Sequence, residues 1–288
     1  MSAEHESPTP SPGEHPDADS VKGGARDEHG TRPAARPGRG VYWLPNLFTT
    51  GTLFGGFYAI VAAIDGNFSR AGIAVFIAMI FDGLDGRVAR WTNTQSDFGK
   101  EYDSLCDMVA FGVAPAIVVY QWGIERIFDY GKFWGRFGWL AAFFYAVAAA
   151  LRLARFNARA SADKRYFEGL PSPSAAATVA SFVWLASEFD ITGVEQPTAG
   201  LPSLVLAFAI TICIGALMVS KFSYWSGKEL NLRGKIPWVY MALIPLGYVI
   251  VSLAPASLFA LFGAYAASAP LFWLWRKVAR KKRPAEGG

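Results

Sequence analysis

Residues 81–115 read FDGLDGRVARWTNTQSDFGKEYDSLCDMVAFGVAP, and apolar sequence lies on both sides of them. Asp82 and Asp85 stand three residues apart, and Asp103 and Asp107 four apart. On a helix either spacing puts both carboxylates on one face, roughly 4.5 and 6 Å apart along the axis. Gly86 and Ala89 continue the first face, and Gly99 lies one turn before Asp103 on the second. The short connection predicts antiparallel neighbours whose adjoining ends bring four carboxylates to one locus. An aspartate at the centre of an isolated membrane helix costs about 2.5–3.5 kcal/mol on the insertion scale. Four together need a compensating charge, because ionised carboxylates repel one another.

Outward from this stretch the chain divides into apolar runs of the length a helix needs to cross a bilayer. About eight are predicted, covering roughly 45–64, 69–91, 98–122, 134–156, 171–189, 200–222, 235–253 and 256–275. The expected fold class is all-α, a polytopic bundle of membrane helices, with the transmembrane domain over 41–277. Segment 157–170 is polar, and 221–235 is basic with aromatics suited to the headgroup region. The chain is 52% apolar, and roughly 58% once residues 1–40 are set aside, above the usual globular range. That disfavours a soluble single-core enzyme. Cys106 and Cys213 sit in apolar runs and read as packing residues, not as a disulfide framework.

Residues 1–40 differ in kind. They hold seven apolar side chains, five of them alanine, against six Pro, six Gly, all three His and twelve charges. Such a stretch cannot bury enough apolar surface to offset its ordering entropy, so it reads as a disordered cytoplasmic tail. It lacks the apolar core of a secretory signal. Residues 278–288 read as a basic cytoplasmic tail suited to anionic headgroups. No DNA- or RNA-reading motif stands out, and no nucleic-acid partner is expected. With the N-terminus in the cytoplasm, 23 of the 27 basic residues fall on the inner side. Only Arg70, Arg126, Lys132 and Arg136 fall outside. The positive-inside rule favours this arrangement over its inverse. It puts both termini and the carboxylate locus on the cytoplasmic side of the cell membrane.

A divalent cation, or a pair, is the simplest compensation for the carboxylates. All-oxygen ligation suits Mg²⁺, Mn²⁺ or Ca²⁺. Zinc is disfavoured, since every His lies in residues 1–40 and the two Cys are not spaced as ligands. The lack of His elsewhere also removes the commonest general base. Gly86 and Gly99 admit two readings, close helix approach or room for a ligand. Arg90, one turn past the carboxylates, suits a phosphate contact, whereas Arg87 can equally snorkel. Ser104 reads as a packing hydroxyl. Arg152 and Arg155, with Asn157 following, sit at the cytoplasmic end of the fourth span. Their guanidinium groups suit a carboxylate or phosphate, or simply set topology. Asn46 and Thr49 suit hydrogen bonds to a nucleotide or to metal-bound water, or capping of the first helix.

The pattern Asp82-x-x-Asp85-Gly86-x-x-Ala89-Arg90, eight residues, then Gly99-x-x-x-Asp103-x-x-x-Asp107 is similar to the motif of the CDP-alcohol phosphatidyltransferase family. All eight fixed positions match in type and spacing. The likeness extends to that family's phosphatidylserine synthase branch. LPNLFTTGTLFGGFYAI (44–60), EYDSLCDMVAFGVAPA (101–116), RLARFN (152–157), FEGLPSPSAAA (167–177) and LMVSKFSYWS (217–226) resemble segments of it. Most of residues 42–230 is covered.

The resemblance implies a six-helix core and a homodimer formed through membrane helices. It implies binding of CDP-diacylglycerol with divalent metal, two ions of Mg²⁺ or Mn²⁺, at the cytoplasmic interface. The phosphatidyl group then passes to an alcohol with release of CMP, and in this branch the alcohol is L-serine. Carried over position by position, Asp82, Asp85 and Asp103 are implied metal ligands, and Asp107 a ligand and the general base. Gly86, Ala89, Arg90 and Gly99 are implied to border the CDP moiety. Two alternatives stay open on the residues themselves. One is a member of the same family acting on glycerol 3-phosphate or inositol phosphate. The other is a divalent-cation transporter, since intramembrane carboxylates are typical of ion paths. A transporter would space acids through the bilayer, whereas these four cluster near one interface, flanked by Arg90 and Lys100.

Overall fold

A computed structural model describes residues 43–92, 96–125, 131–158, 166–189, 201–225 and 255–281. The helices are α1 (Trp43–Ile64), α2 (Phe68–Thr92), α3 (Asp97–Asp107), a π-helical segment (Met108–Val113), α4 (Ala114–Trp122), α5 (Lys132–Ala158), α6 (Ser172–Glu188), α7 (Leu201–Val219) and α8 (Ala256–Lys281). Seven of the eight expected spans are thus helical, with α3, the π segment and α4 forming one of them. The expected span at 235–253 lies outside the described residues, as does the expected tail over 1–40. At the other end α8 runs on through Lys281, into the basic segment.

Among the described residues, five stretches are long and apolar enough to cross a membrane: Asn46–Ile64, Asp97–Trp122, Gly135–Ala158, Pro202–Val219 and Ala256–Ala279. The protein is an all-α integral membrane bundle. α2 is not among the five because Arg70, Asp82, Asp85, Arg87 and Arg90 interrupt its apolar sequence. α6 is only 17 residues long, and it is buried on nearly every side, from Ser172 through Ala186. A helix apolar all round belongs in the middle of a bundle. α6 accordingly packs on α2 and on α8, while α1 packs on α2 and α5 on α7. Small residues let these backbones approach. A Cβ added at Gly56 of α1 would lie 2.5 Å from the Ala110 Cα in the π segment.

Pro115 has no N–H to give the carbonyl of Phe111, four residues earlier. Within a bilayer that carbonyl needs another donor. Tyr145 of α5, fully buried, supplies it with an Oη–H bond to Phe111 O at 3.2 Å.

One feature departs from the sequence reading. Within the polar segment 157–170 and the basic segment 221–235, β1 (Tyr166–Glu168) pairs antiparallel with β2 (Ser223–Trp225), Phe167 opposite Tyr224. Strands of three residues leave no detectable alternation. Gly169 follows β1 at φ +80°, where a Cβ would collide with the Met218 carbonyl. Its N–H bonds Phe222 O at 2.9 Å, and Leu170 N bonds Leu217 O at 3.0 Å. These contacts pin the start of α6 to the end of α7.

Candidate functional site

The site lies where the C-terminal half of α2 meets α3. Ser96 caps α3 in extended conformation (φ −128°), its Oγ accepting from Gly99 N at 3.0 Å. This cap satisfies one of the orphan donors of the first turn. Asp97 in the same turn favours the positive end of the helix dipole. So started, α3 turns Asp103 and Asp107 towards Asp82 and Asp85.

One carboxylate oxygen from each of Asp82, Asp85 and Asp103 lies within 4.8 Å of the others. The Asp82 carboxyl also meets that of Asp107, and the Asp85 carboxyl that of Asp103. Asp85 is the most enclosed, 5% exposed, and its Oδ2 accepts a 3.0 Å bond from the Thr49 hydroxyl of α1. Asp103 Oδ1 and Asp107 Oδ1 are buried with no hydrogen-bond partner among the described residues. Carboxylates this close cannot all be ionised without a counter-charge. Converging oxygens with unsatisfied lone pairs, and no His or Cys ligand among them, fit a hard divalent cation. Asp107 stands outside the tightest three, one helical turn beyond Asp103.

The remaining expected residues separate into groups. Asn46 and Thr49 sit inside α1 and not at its start, which removes the capping reading. Thr49 instead orients Asp85. Asn46 Oδ1 lies 3.5 Å from where a Cβ on Gly99 would stand. Among the described residues, nothing lies within 4 Å of a Cβ added at Gly86. It is therefore not a helix-packing glycine, and its face of α2 is open beside the carboxylates. Ala89 is half-buried, and Arg90 is exposed in the last turn of α2.

The RLARFN segment does three different things. Arg155 Nη1 donates to Val219 O, the last carbonyl of α7, at 3.1 Å. Asn157 Nδ2 donates to Ser104 Oγ at 2.9 Å, and Ser104 donates to Lys100 O at 3.0 Å. Arg152 is buried, bonds Ser172 Oγ at 2.8 Å, and lies within electrostatic reach of Asp107. Two contacts were missed by the sequence reading. Tyr102 Oη meets Thr50 Oγ1 at 3.0 Å and ties α3 to α1. Ser172 was legible as a helix start from its SPS sequence, but its partner lies 20 residues away.

Together these features define a membrane-embedded enzyme with an acidic, all-oxygen site at one end of its helices. The chain belongs to the CDP-alcohol phosphatidyltransferase family, whose sequence profile matches residues 42–215. It is similar to a Helicobacter pylori (strain ATCC 700392 / 26695) protein named CDP-diacylglycerol--serine O-phosphatidyltransferase. The two are 37% identical over 240 residues, 83% of this chain and 94% of that protein. An archaetidylserine synthase from Methanothermobacter thermautotrophicus is 35% identical over 183 residues, 63% of this chain and 69% of its own. A Saccharomyces cerevisiae CDP-diacylglycerol--serine O-phosphatidyltransferase is 37% identical over 141 residues, 44% and 48% of the two chains. Membership makes the chain a transferase and sets the transporter alternative aside.

Proposed function

We propose that the protein transfers the phosphatidyl group of CDP-diacylglycerol to the hydroxyl of L-serine, giving phosphatidylserine and CMP. The relative that this chain spans to 94% carries that activity in its name. The observation that carries the chemistry is the convergence of Asp82, Asp85 and Asp103, with Asp107 beside them and an open glycine face on α2. Asp82, Asp85 and Asp103 would hold divalent metal, two ions of Mg²⁺ or Mn²⁺, with Asp107 at the edge of the set. Ions held there supply neutralisation of the diphosphate and of the charge that develops on departing CMP.

The chain's own residues do the rest. Thr49 fixes the Asp85 carboxylate. Gly86 leaves room for the CDP moiety against the α2 backbone, bordered by Ala89, Gly99 and Asn46. Arg90 offers a guanidinium to its phosphates. Asp107 accepts the proton of the serine hydroxyl as that oxygen attacks the β-phosphorus. The new O–P bond forms while the bond from phosphorus to the CMP oxygen breaks. Partial burial strengthens a carboxylate as a base. Ser104 is held between Asn157 and Lys100 O, which supports direct attack without a covalent enzyme intermediate. Of the three residues first considered for serine recognition, Arg152 is the one within electrostatic reach of Asp107. The same reading includes a cytoplasm-facing site, cytoplasmic termini and a homodimer.

Purified full-length protein with radiolabelled L-serine, CDP-diacylglycerol and Mn²⁺ or Mg²⁺ is expected to yield labelled phosphatidylserine and equimolar CMP. Consumption of glycerol 3-phosphate or inositol phosphate, with L-serine untouched, would refute the serine assignment.

A further inference from the structure

The two halves of α8 differ in their surroundings. The first half packs into the bundle. Phe259 meets Phe182 and Phe262 meets Phe76, with ring centroids 5.8 and 6.0 Å apart, and Ala266 is buried. Pro270 then interrupts the backbone bonding, because it has no N–H for the Ala266 carbonyl four residues earlier. Tyr224 of β2, itself buried, donates its Oη–H to that carbonyl at 2.8 Å. Beyond this anchor every residue from Leu271 to Ala279 is exposed.

The exposed half carries aromatic and basic residues together. The Arg276 guanidinium lies over the Phe272 ring, 4.5 Å from its centroid, and Lys277 Nζ over the Trp273 ring at 5.0 Å. A ring face steadies a cation, yet both side chains keep N–H donors for an anion. Neither has a carboxylate partner among the described residues. Trp273 also meets Phe222 edge-on, centroids 5.9 Å apart. The exposed Lys221 precedes Phe222, so a third cation belongs to this corner. Segments 221–225 and 271–279 hold those three cations and no acid. Arg155 ties the end of α7 to the end of α5, and Asn157 ties that end to α3. The corner thus lies at the same end of the bundle as the carboxylates.

We propose that Arg276, Lys277 and Lys221, set around Phe272 and Trp273, form a docking surface for the headgroups of anionic phospholipids in the surrounding leaflet. Tryptophan beside lysine and arginine is the composition of a membrane–water boundary, where each cation near an acidic surface adds attraction. Charge decides against a second copy of the chain as the occupant. A two-fold contact would set this corner against itself, cation facing cation. A docked lipid would also steady the fold near the site. Phe222, which Trp273 touches, accepts the Gly169 N–H bond that pins the start of α6. The inference does not depend on which alcohol is the acceptor.

The test places full-length protein in phosphatidylcholine bilayers and titrates in phosphatidylglycerol, without CDP-diacylglycerol. The readout is the melting temperature, which ligand binding to the folded state raises. Wild type should gain stability as the acidic lipid increases. The fraction of phosphatidylglycerol that gives half the gain should rise about fivefold in Arg276→Gln and in Lys277→Gln. The double variant should lose most of the gain. Basic residues from 280 onward are present in every variant, so their share of the attraction cancels. Arg70→Gln, near the opposite end of α2, should respond like wild type. Turnover in phosphatidylcholine alone should be unchanged throughout and reports folding. If the double variant does not fold, Lys221→Gln carries the test with its own fivefold rise. An equal gain from added phosphatidylcholine, an undiminished gain in the double variant, or an equal loss in Arg70→Gln would overturn the docking surface. A wild-type dimer that turns monomeric in the double variant, by light scattering, would assign the corner to a second copy and overturn it too.

Discussion

Replacing Thr49 with valine keeps the shape of the α1 face and removes the hydrogen bond to Asp85. Thr49 is 4% exposed, and its hydroxyl reaches Asp85 Oδ2 at 3.0 Å. Valine fills the same volume without a donor. A hydrogen bond to a charged group contributes about 1.5–3 kcal/mol. Without it the Asp85 carboxylate is free to turn away from Asp82 and Asp103, whose oxygens it meets within 4.8 Å. If the whole effect falls on cation affinity, it corresponds to roughly a 10- to 100-fold loss. Activity against Mn²⁺ concentration should show that shift. The Mn²⁺-induced rise in melting temperature, read without substrate, should shrink in parallel. Thr49→Ser retains the hydroxyl and should stay near wild type. An unchanged Mn²⁺ response in Thr49→Val, or a tighter one, would refute the orienting role. A tighter response would mean that the hydroxyl competes with the cation for Oδ2.

Gly86→Ala should fold as well as wild type or better, by about 0.5–1 kcal/mol, because no atom of the described residues lies within 4 Å of the added methyl. Its KM for CDP-diacylglycerol should nevertheless rise several-fold, and an unchanged KM would show that the open face takes no ligand. Asp107→Asn should keep CDP-lipid binding, measured by thermal shift, while turnover falls by about 10²- to 10⁴-fold; near-normal turnover would remove the base assignment. Tyr145→Phe leaves the Phe111 carbonyl without its donor, so the melting temperature in detergent should drop by the equivalent of about 1–3 kcal/mol. Gly169→Ala combines a left-handed backbone, about 1–2 kcal/mol for an L-residue, with a collision at Met218. It should reduce the yield of folded protein, and normal expression and stability would contradict the pinned turn.

What the sequence revealed was the part set by local periodicity. Helical spans follow from the length of apolar runs, and the Asp pairs follow from spacings of three and four, which fix a face whatever the neighbours are. Pro115 even exposes, from sequence alone, a helix carbonyl in need of a donor. Its partner Tyr145 is 34 residues from Phe111 and carries no local mark. The same limit applies to Thr49 and Asp85, 36 residues apart. Gly86 is a different case. Its two readings differ only in what lies beside it, and no pattern along the chain contains that information.

The residues 152–157 show what distance in space adds to adjacency in sequence. Read along the chain, Arg152, Arg155 and Asn157 formed one recognition group. On a helix of 3.6 residues per turn, five residues sweep well beyond a full turn, so the three side chains cannot all face one ligand. They face three helices instead: Arg152 takes the start of α6, Arg155 the end of α7, and Asn157 the Ser104 hydroxyl of α3. The end of α5 thus clamps the elements that surround Asp107, and precise chemistry needs such support from packed neighbours. Two of the three polar side chains are therefore committed to holding the site together.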